Sequence, residues 1–333
     1  MNVTKAILLT LLLCFATNDA AMAQILPAFG RDRAGTSGFQ FLKVPVDARS
    51  AALGQTVVAN ASDATALFWN PAMASQGGSF QIGLGHAAYY SDIMLDYVAA
   101  IKTFGDYSIG ISVQTLNSGD MEVTTEFQPF GTGETFRFYD ISAGITLAQR
   151  LTDLFSYGVT ARYVEESSAG VSAKTAMFDL GFFYRVGTTG LQMAVAIRNF
   201  GLDADPSGNL SRTTISGETI ETSFEALMPP TSFLLGASYT LLQNNPMNTL
   251  VISGQLNNPN DNAESFNIGV EYGWNEILLL RAGYRFGVEE VQIPGIGFGL
   301  IIPGIGPTVR FDYGLSSMTR LGTVHRAGLN IEL

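Results

Sequence analysis

From Ser79 onward, apolar and polar residues alternate in short runs separated by turn-forming residues. Fourteen runs are present, at 79–90, 94–103, 107–116, 136–148, 155–165, 174–186, 190–200, 231–242, 248–257, 265–274, 277–287, 296–302, 306–316 and 325–333. Each run is a weak signal, but an even number of segments, each about ten residues long, predicts an all-β fold: a 14-stranded antiparallel transmembrane β-barrel. In the tenth run Phe266, Ile268, Val270, Tyr272 and Trp274 share one face, and Asn267, Gly269, Glu271 and Gly273 the other. The eleventh sets Leu278, Leu280, Ala282, Tyr284 and Phe286 against Arg281, Gly283 and Arg285, and the thirteenth sets Val309, Phe311, Tyr313 and Leu315 against Arg310, Asp312 and Gly314. A soluble sandwich alternates too, with its apolar face inward. The aromatics near run ends (Tyr90, Tyr107, Tyr157, Tyr184, Tyr272 and Trp274) favour the barrel, because membrane girdles sit there.

The connections carry a second periodicity. Links near 104–106, 149–154, 187–189, 243–247, 275–276 and 303–305 are short, while 117–135, 166–173, 201–230, 258–264, 288–295 and 317–324 are longer; only 91–93 breaks the alternation. Short turns on the periplasmic side and long loops outside are the barrel pattern. Charge sorts the same way. The segments 117–135, 165–173, 201–230, 258–264 and 288–295 hold fifteen acidic residues against one basic residue, Arg212. One rim is strongly acidic.

Ahead of the first run, the period changes. In GFQFLKVPVDARSAALGQTVVANASDATALFWNPA, Val46 to Leu53 predicts a short helix ended by Gly54 as a left-handed cap. Ser62 or Asp63 predicts the cap of a second helix, Ala64 to Trp69, stopped at Asn70-Pro71. Two compact helices do not make a domain. A fourteen-stranded barrel lies between those filled by their own side chains and those that need a plug, so residues 24–78 are expected to form a short N-terminal helical plug inside the barrel 79–333.

Composition narrows the setting. Residues 1–23 read as a signal peptide: Lys5 before the apolar run Ala6 to Ala16, then Ala21-Met22-Ala23 before Gln24. Leu13 before Cys14 does not match a lipoprotein site, and Cys14 is the one cysteine, so the exported portion owes nothing to disulfides. Charged residues are 14% of the chain and mean hydropathy is +0.21, yet no later apolar run is long enough for a membrane helix. A closed barrel is then the way to meet lipid, which predicts the cell outer membrane. The net charge of −11 disfavours nucleic acid as a partner.

Little conventional chemistry is visible. His86 and His325 with no cysteine in the exported portion give no zinc cluster, and no phosphate-binding loop is present. Gly83 and Gly85, and the glycines of PGIGFGLIIPGIGP, read as close packing in a curved sheet. Both histidines fall on the apolar, outward face near the seam where first and last strands pair, with no clear serine–carboxylate triad. Asp96, Lys102, Asp140, Arg162, Asp179, Arg185, Arg198, Glu271, Arg281, Arg285, Arg310, Asp312, Arg326 and Glu332 are read as lumen-facing. They are expected to pair and hold the plug, with a polar solute path as the other reading. Phe68 and Trp69 read as plug core or as the wall of a pocket for a greasy ligand. No catalytic residue, metal or cofactor is assigned.

With those residues laid out, the opening stretch resembles the N-terminal signature of the PorV/PorQ family of outer-membrane proteins. The marks are Phe41-Leu42, Arg49, Gly54, Asp63, Ala64 and Trp69-Asn70-Pro71-Ala72, and Arg320-Leu321-Gly322 with His325-Arg326 resembles the family's last strand. The final Leu333 departs from the aromatic usual there. The resemblance implies a FadL-like barrel of the type IX secretion system, not an enzyme, with outer-membrane lipid, a translocon, an attachment complex and secreted cargo C-terminal domains as partners. Cargo would be bound and handed on at the long outer loops, with Phe127, Phe130, Leu227 and Met228 as apolar contacts. The plug motif would comprise Arg49, Gly54, Asp63, Phe68, Trp69, Asn70 and Pro71. The alternative is a FadL-like transporter of hydrophobic small molecules.

Overall fold

Every barrel strand of the computed structural model pairs with its neighbour through an antiparallel ladder, and the last returns to the first. The described residues are 33–208, 211–213, 219–221, 224–243, 245, 247–288, 291, 293–302 and 306–333; the expected signal peptide 1–23 and turn 303–305 lie outside them. The strands are β1 Phe80–Ala88, β2 Met94–Phe104, β3 Tyr107–Glu122, β4 Thr135–Arg150, β5 Phe155–Ser168, β6 Val171–Arg185, β7 Leu191–Gly201, β8 Ser211–Thr213, β9 Thr219–Glu221, β10 Ser232–Leu241, β11 Asn248–Pro259, β12 Ser265–Trp274, β13 Leu278–Phe286, β14 Gly295–Ile302, β15 Thr308–Met318 and β16 Gly322–Glu332. All but β8 and β9 form one closed barrel of 14 strands. Register at the closure runs from Gln81 opposite Glu332 to Ala88 opposite His325. Closure leaves no free edge, which is what a sheet in lipid requires.

Each predicted run has become a barrel strand, and most faces match the alternation. In β12, Phe266, Ile268, Val270 and Trp274 are exposed on the outer wall while Asn267 and Gly269 are buried within. Strand β2 reverses the reading made for it. Asp96 and Lys102 face outward beside Met94 and Val98, while Leu95, Tyr97, Ala99 and Ile101 point inward and are fully buried. The inner face of β2 is apolar because it packs against Leu67, Phe68 and Trp69 of the plug. Polarity marks the lumen side only where the lumen is wet or charged. Here it is neither.

β3 to β6 are 14–16 residues long, beyond the 9–11 residues or so that cross a bilayer. Their surplus projects past the membrane on the side away from the short turns. The link expected at 166–173 is therefore a two-residue hairpin, Ala169-Gly170, with φ of 48° and 85°. Two consecutive positive-φ residues suit the right-handed twist of a tight hairpin. The last outer link likewise shrinks to 319–321. Polar residues there read as loop because strands standing in water carry polar side chains on both faces. Within 202–231 a small hairpin, β8 with β9, was not signalled by the sequence.

The plug helices are shorter than predicted: α1 spans Ala48–Ala52 and α2 Ala66–Trp69, with 3-10 turns at Gln40–Lys43 and Pro71–Ser75. Almost every side chain from Phe39 to Ser75 is buried. α1 lies against β13 to β16, and the second 3-10 turn against β3 to β6.

Candidate functional site

The plug begins as local chemistry. Asp47 caps α1 by accepting the Ser50 N–H at 2.7 Å, and also accepts the indole N–H of Trp69 at 3.0 Å, tying the two helices together. Gly54 leaves α1 at φ 63°, the left-handed end for which glycine carries little strain. Asp63 accepts the Thr65 N–H at 2.9 Å before α2, and Asn70, extended at φ −158°, accepts the Ala72 N–H at 3.0 Å to open the Pro71 turn. Alanines at 48, 51, 52, 59, 61, 64, 66, 72 and 74 keep the unit thin enough to lie in the bore.

An alternating chain of charge then fastens plug to wall. Arg49 forms a fork with Glu271 at 2.9 and 3.0 Å. Glu271 also accepts from Arg281, which reaches Asp312 at 2.6 Å. Asp312 accepts from Arg310 at 2.8 Å, and Arg310 returns to Asp63 of the plug. Three cations and three anions alternate with no net charge, the Arg49–Glu271 pair bidentate and the other links single hydrogen bonds, so each buried charge has an opposite partner. On the opposite wall Arg162 pairs with Asp179 and donates to the Leu67 carbonyl at 2.9 Å. Arg326 donates to the Pro45 carbonyl and to Tyr89.

Each residue of the plug motif has a partner. Arg49 and Asp63 end the charge chain. Phe68 and Trp69 meet edge-to-face at 4.9 Å beneath Arg198, whose guanidinium carbon lies 3.9 Å over Phe68. Arg198 and Asn199 both point inward because a bulge sets them opposite Asp179. Asn70 donates to the Val58 carbonyl, and Pro71 sits so close to β5 that a Cβ at Gly158 would lie 2.5 Å from its backbone. Gly54 presses on β13, where a Cβ at Gly283 would fall 2.0 Å from Leu53. Gly85 and Gly295, read from sequence as close packing in a curved sheet, likewise lie against plug backbone, at the Val46 and Ala51 carbonyls. The sequence reading missed Lys43 and Asp261, since nothing in their spacing joins them.

At the outer rim the four proposed contact residues divide. Phe127 and Phe130, on the β3–β4 loop, are 84% and 96% exposed. Leu227 and Met228 instead cover the head of the plug: the Met228 carbonyl accepts the Gly38 N–H at 3.0 Å, and Leu227 packs against the apolar cluster that joins Phe39, Phe41 and Leu42 to the wall residues Val164, Ala173 and Met177. From the β11–β12 loop Asp261 accepts from Ser37, from Gln40 at 2.8 Å and from Lys43 at 2.8 Å. Burial alone would raise its pKa, but those hydrogen bonds outweigh burial and hold it below the usual carboxylate value. The rim is less one-signed than the sequence implies, because the projecting strands bring Arg137 to Asp120 and Lys174 to Glu165.

His86 and His325 face outward by the seam. His86 Nδ1 lies 2.7 Å from Asp96 and His325 Nδ1 2.7 Å from the Tyr313 hydroxyl, and no serine bonds either ring among the described residues.

A fourteen-stranded barrel with a buried N-terminal plug leaves the family to be decided by sequence. The model of the type IX secretion system protein PorV matches residues 28–198, just over half of the chain. The chain belongs to the PorV family. It is an outer-membrane β-barrel of that secretion system's kind. Comparison with curated protein sequences finds no match. Among solved structures, the Ralstonia pickettii toluene transporter TbuX is similar at TM-score 0.59 and 15% identity, covering 89% of this chain and 98% of that one. The Pseudomonas putida toluene transporter TodX and the monoaromatic hydrocarbon channel CymD are each similar at TM-score 0.58 and 14% identity, covering 86% of this chain and 96% of theirs. At such identities the likeness establishes a FadL-like fold for this PorV-family chain and nothing finer.

Proposed function

We propose that this protein is a non-enzymatic receptor of the type IX secretion system, binding secreted cargo C-terminal domains at its outer rim and passing them from translocon to attachment complex. Membership of the PorV family motivates the reading, and the plug carries it. Both plug helices are held to the wall by paired, buried charges, so traffic belongs to the rim rather than the bore. On that rim Phe127 and Phe130 stand in water beside Glu122, Glu126 and Glu134, an apolar contact framed by acid. Exposed aromatics of this kind anchor protein interfaces. Leu227 and Met228 act indirectly, by keeping the 202–231 loop seated on the plug.

The test is a tagged pull-down from the native outer membrane. Wild type is expected to recover translocon components and proteins sharing a C-terminal domain, and the double variant Phe127→Ala/Phe130→Ala to lose at least fivefold of that cargo at equal barrel abundance. Undiminished recovery would refute the rim assignment. The transporter reading rests on the likeness to TodX and TbuX and on the hollow beside Trp69. It predicts instead that a small apolar compound copurifies.

A further inference from the structure

The outer ends of the barrel strands are not level. β3 runs on to Glu122, but its pairing with β2 stops where Met94 faces Asn117. Residues 118–122 therefore keep a strand partner on the β4 side alone. A bulge between Asn117 and Asp120 resets the pleat, with Gly119 at φ 70°. Past it, the Val123 N–H donates to the Glu134 carbonyl at 2.9 Å. Backbone groups of an extended strand alternate in direction, so those of Glu122 and Asp120 turn away from β4, towards the open edge. Among the described residues no strand and no isolated bridge pairs with that edge. An uncovered edge standing in water is a template for another strand.

The side chains along the edge select the occupant. Met121 is half-buried on one face, beside Phe136 of β4, while Asp120 and Glu122 are exposed on the other. Asp120 is matched by Arg137. Glu122 forms no ion pair among the described residues, and Glu126 and Glu134 follow it in the β3–β4 loop. A second copy of this chain would set acid against acid across the new ladder, which is unfavourable for directly opposed pairs. We propose that the outer edge of β3 takes up an extended strand of a secreted protein, one that alternates basic and apolar residues. The inference rests on the cargo-receptor reading above and specifies the chemistry of the captured segment. Its backbone bonds to Asp120 and Glu122, its bases lie beside their carboxylates, and its apolar side chains extend the face of Met121.

The experiment titrates the full chain in detergent micelles with a capped heptapeptide alternating valine and lysine, and with the same peptide N-methylated at its central amides. Both carry the same charge. The unmethylated peptide is expected to bind about tenfold more tightly, since only it can form the ladder, and to slow deuterium uptake at residues 118–122. Glu122→Pro removes the N–H on the open edge while leaving the bonds to β4, as proline does in edge strands, and is expected to cost about tenfold in affinity. Glu122→Gln keeps that N–H and is expected to cost about threefold. Should the proline variant not fold, the comparison of the two peptides on wild type decides alone. Equal binding of both peptides, or unchanged uptake at 118–122, overturns the proposal. In the pull-down, cargo lost with Phe127→Ala/Phe130→Ala but fully recovered with Glu122→Pro overturns the edge and leaves the receptor reading. Peptide bound at the edge, with cargo recovery indifferent to both variants, overturns the receptor reading and leaves the strand-binding edge.

Discussion

Glu271 stands between two arginines, one on the plug and one on the wall, and both depend on it. Glu271→Gln leaves Arg49 and Arg281 sharing a neutral amide where they shared a charge. Because breaking a buried pair leaves its partner uncompensated, the expected loss is about 3 kcal/mol, read as a lowered urea midpoint of the folded barrel. Glu165→Gln, which faces water and an exposed Lys174, is expected to leave the midpoint unchanged. The contrast separates fastening charges from solvated ones. Arg49, Asp63, Glu271 and Asp312 were all legible from sequence as motif or lumen residues, but their order along one chain was not. Asp96 and Lys102 face outward, against expectation, because plug side chains claim the inner face of β2 for apolar residues.

At the scale of elements, the strands announced themselves and the links did so less faithfully. Alternation survives wherever one face meets lipid, so all fourteen strands were visible. Once β3 to β6 leave the membrane both faces are wet, the pattern vanishes, and a strand end looks like a loop. The Ala169-Gly170 hairpin is the clearest case. From sequence the plug helices are placed by Gly54 after the first, and by Ser62 or Asp63 before and Asn70-Pro71 after the second; the Asp47 cap lies inside the first predicted span and is not signalled, and both helices are shorter than expected. The β11–β12 loop latches the plug head through Asp261. Its depressed pKa means that the latch contributes stability above the unfolded-state value of about 3.9 and loses it as pH falls through the lower folded-state value. Spin labels on that loop and on the plug head are expected to keep their separation from neutral pH down to about pH 4 and to drift apart only below it. Separation near pH 6 would contradict the assignment.

As a whole molecule the protein is a closed barrel whose bore holds its own N-terminal segment. The plug contributes backbone against wall glycines, alanines against apolar strands, and charges against charges. These three kinds of contact account for the composition: many glycines, small plug side chains, and few charged residues outside the rim and the fastening chain. Function then moves to the surface that the plug and its covering loop present outward. The most direct measurement is ion conductance of the full chain in a planar bilayer at neutral pH. No steady conductance is expected from wild type, while Glu271→Ala/Asp312→Ala, which cuts the charge chain at both acids, is expected to open a stable current. A persistent ohmic pore in the wild-type protein would contradict the account.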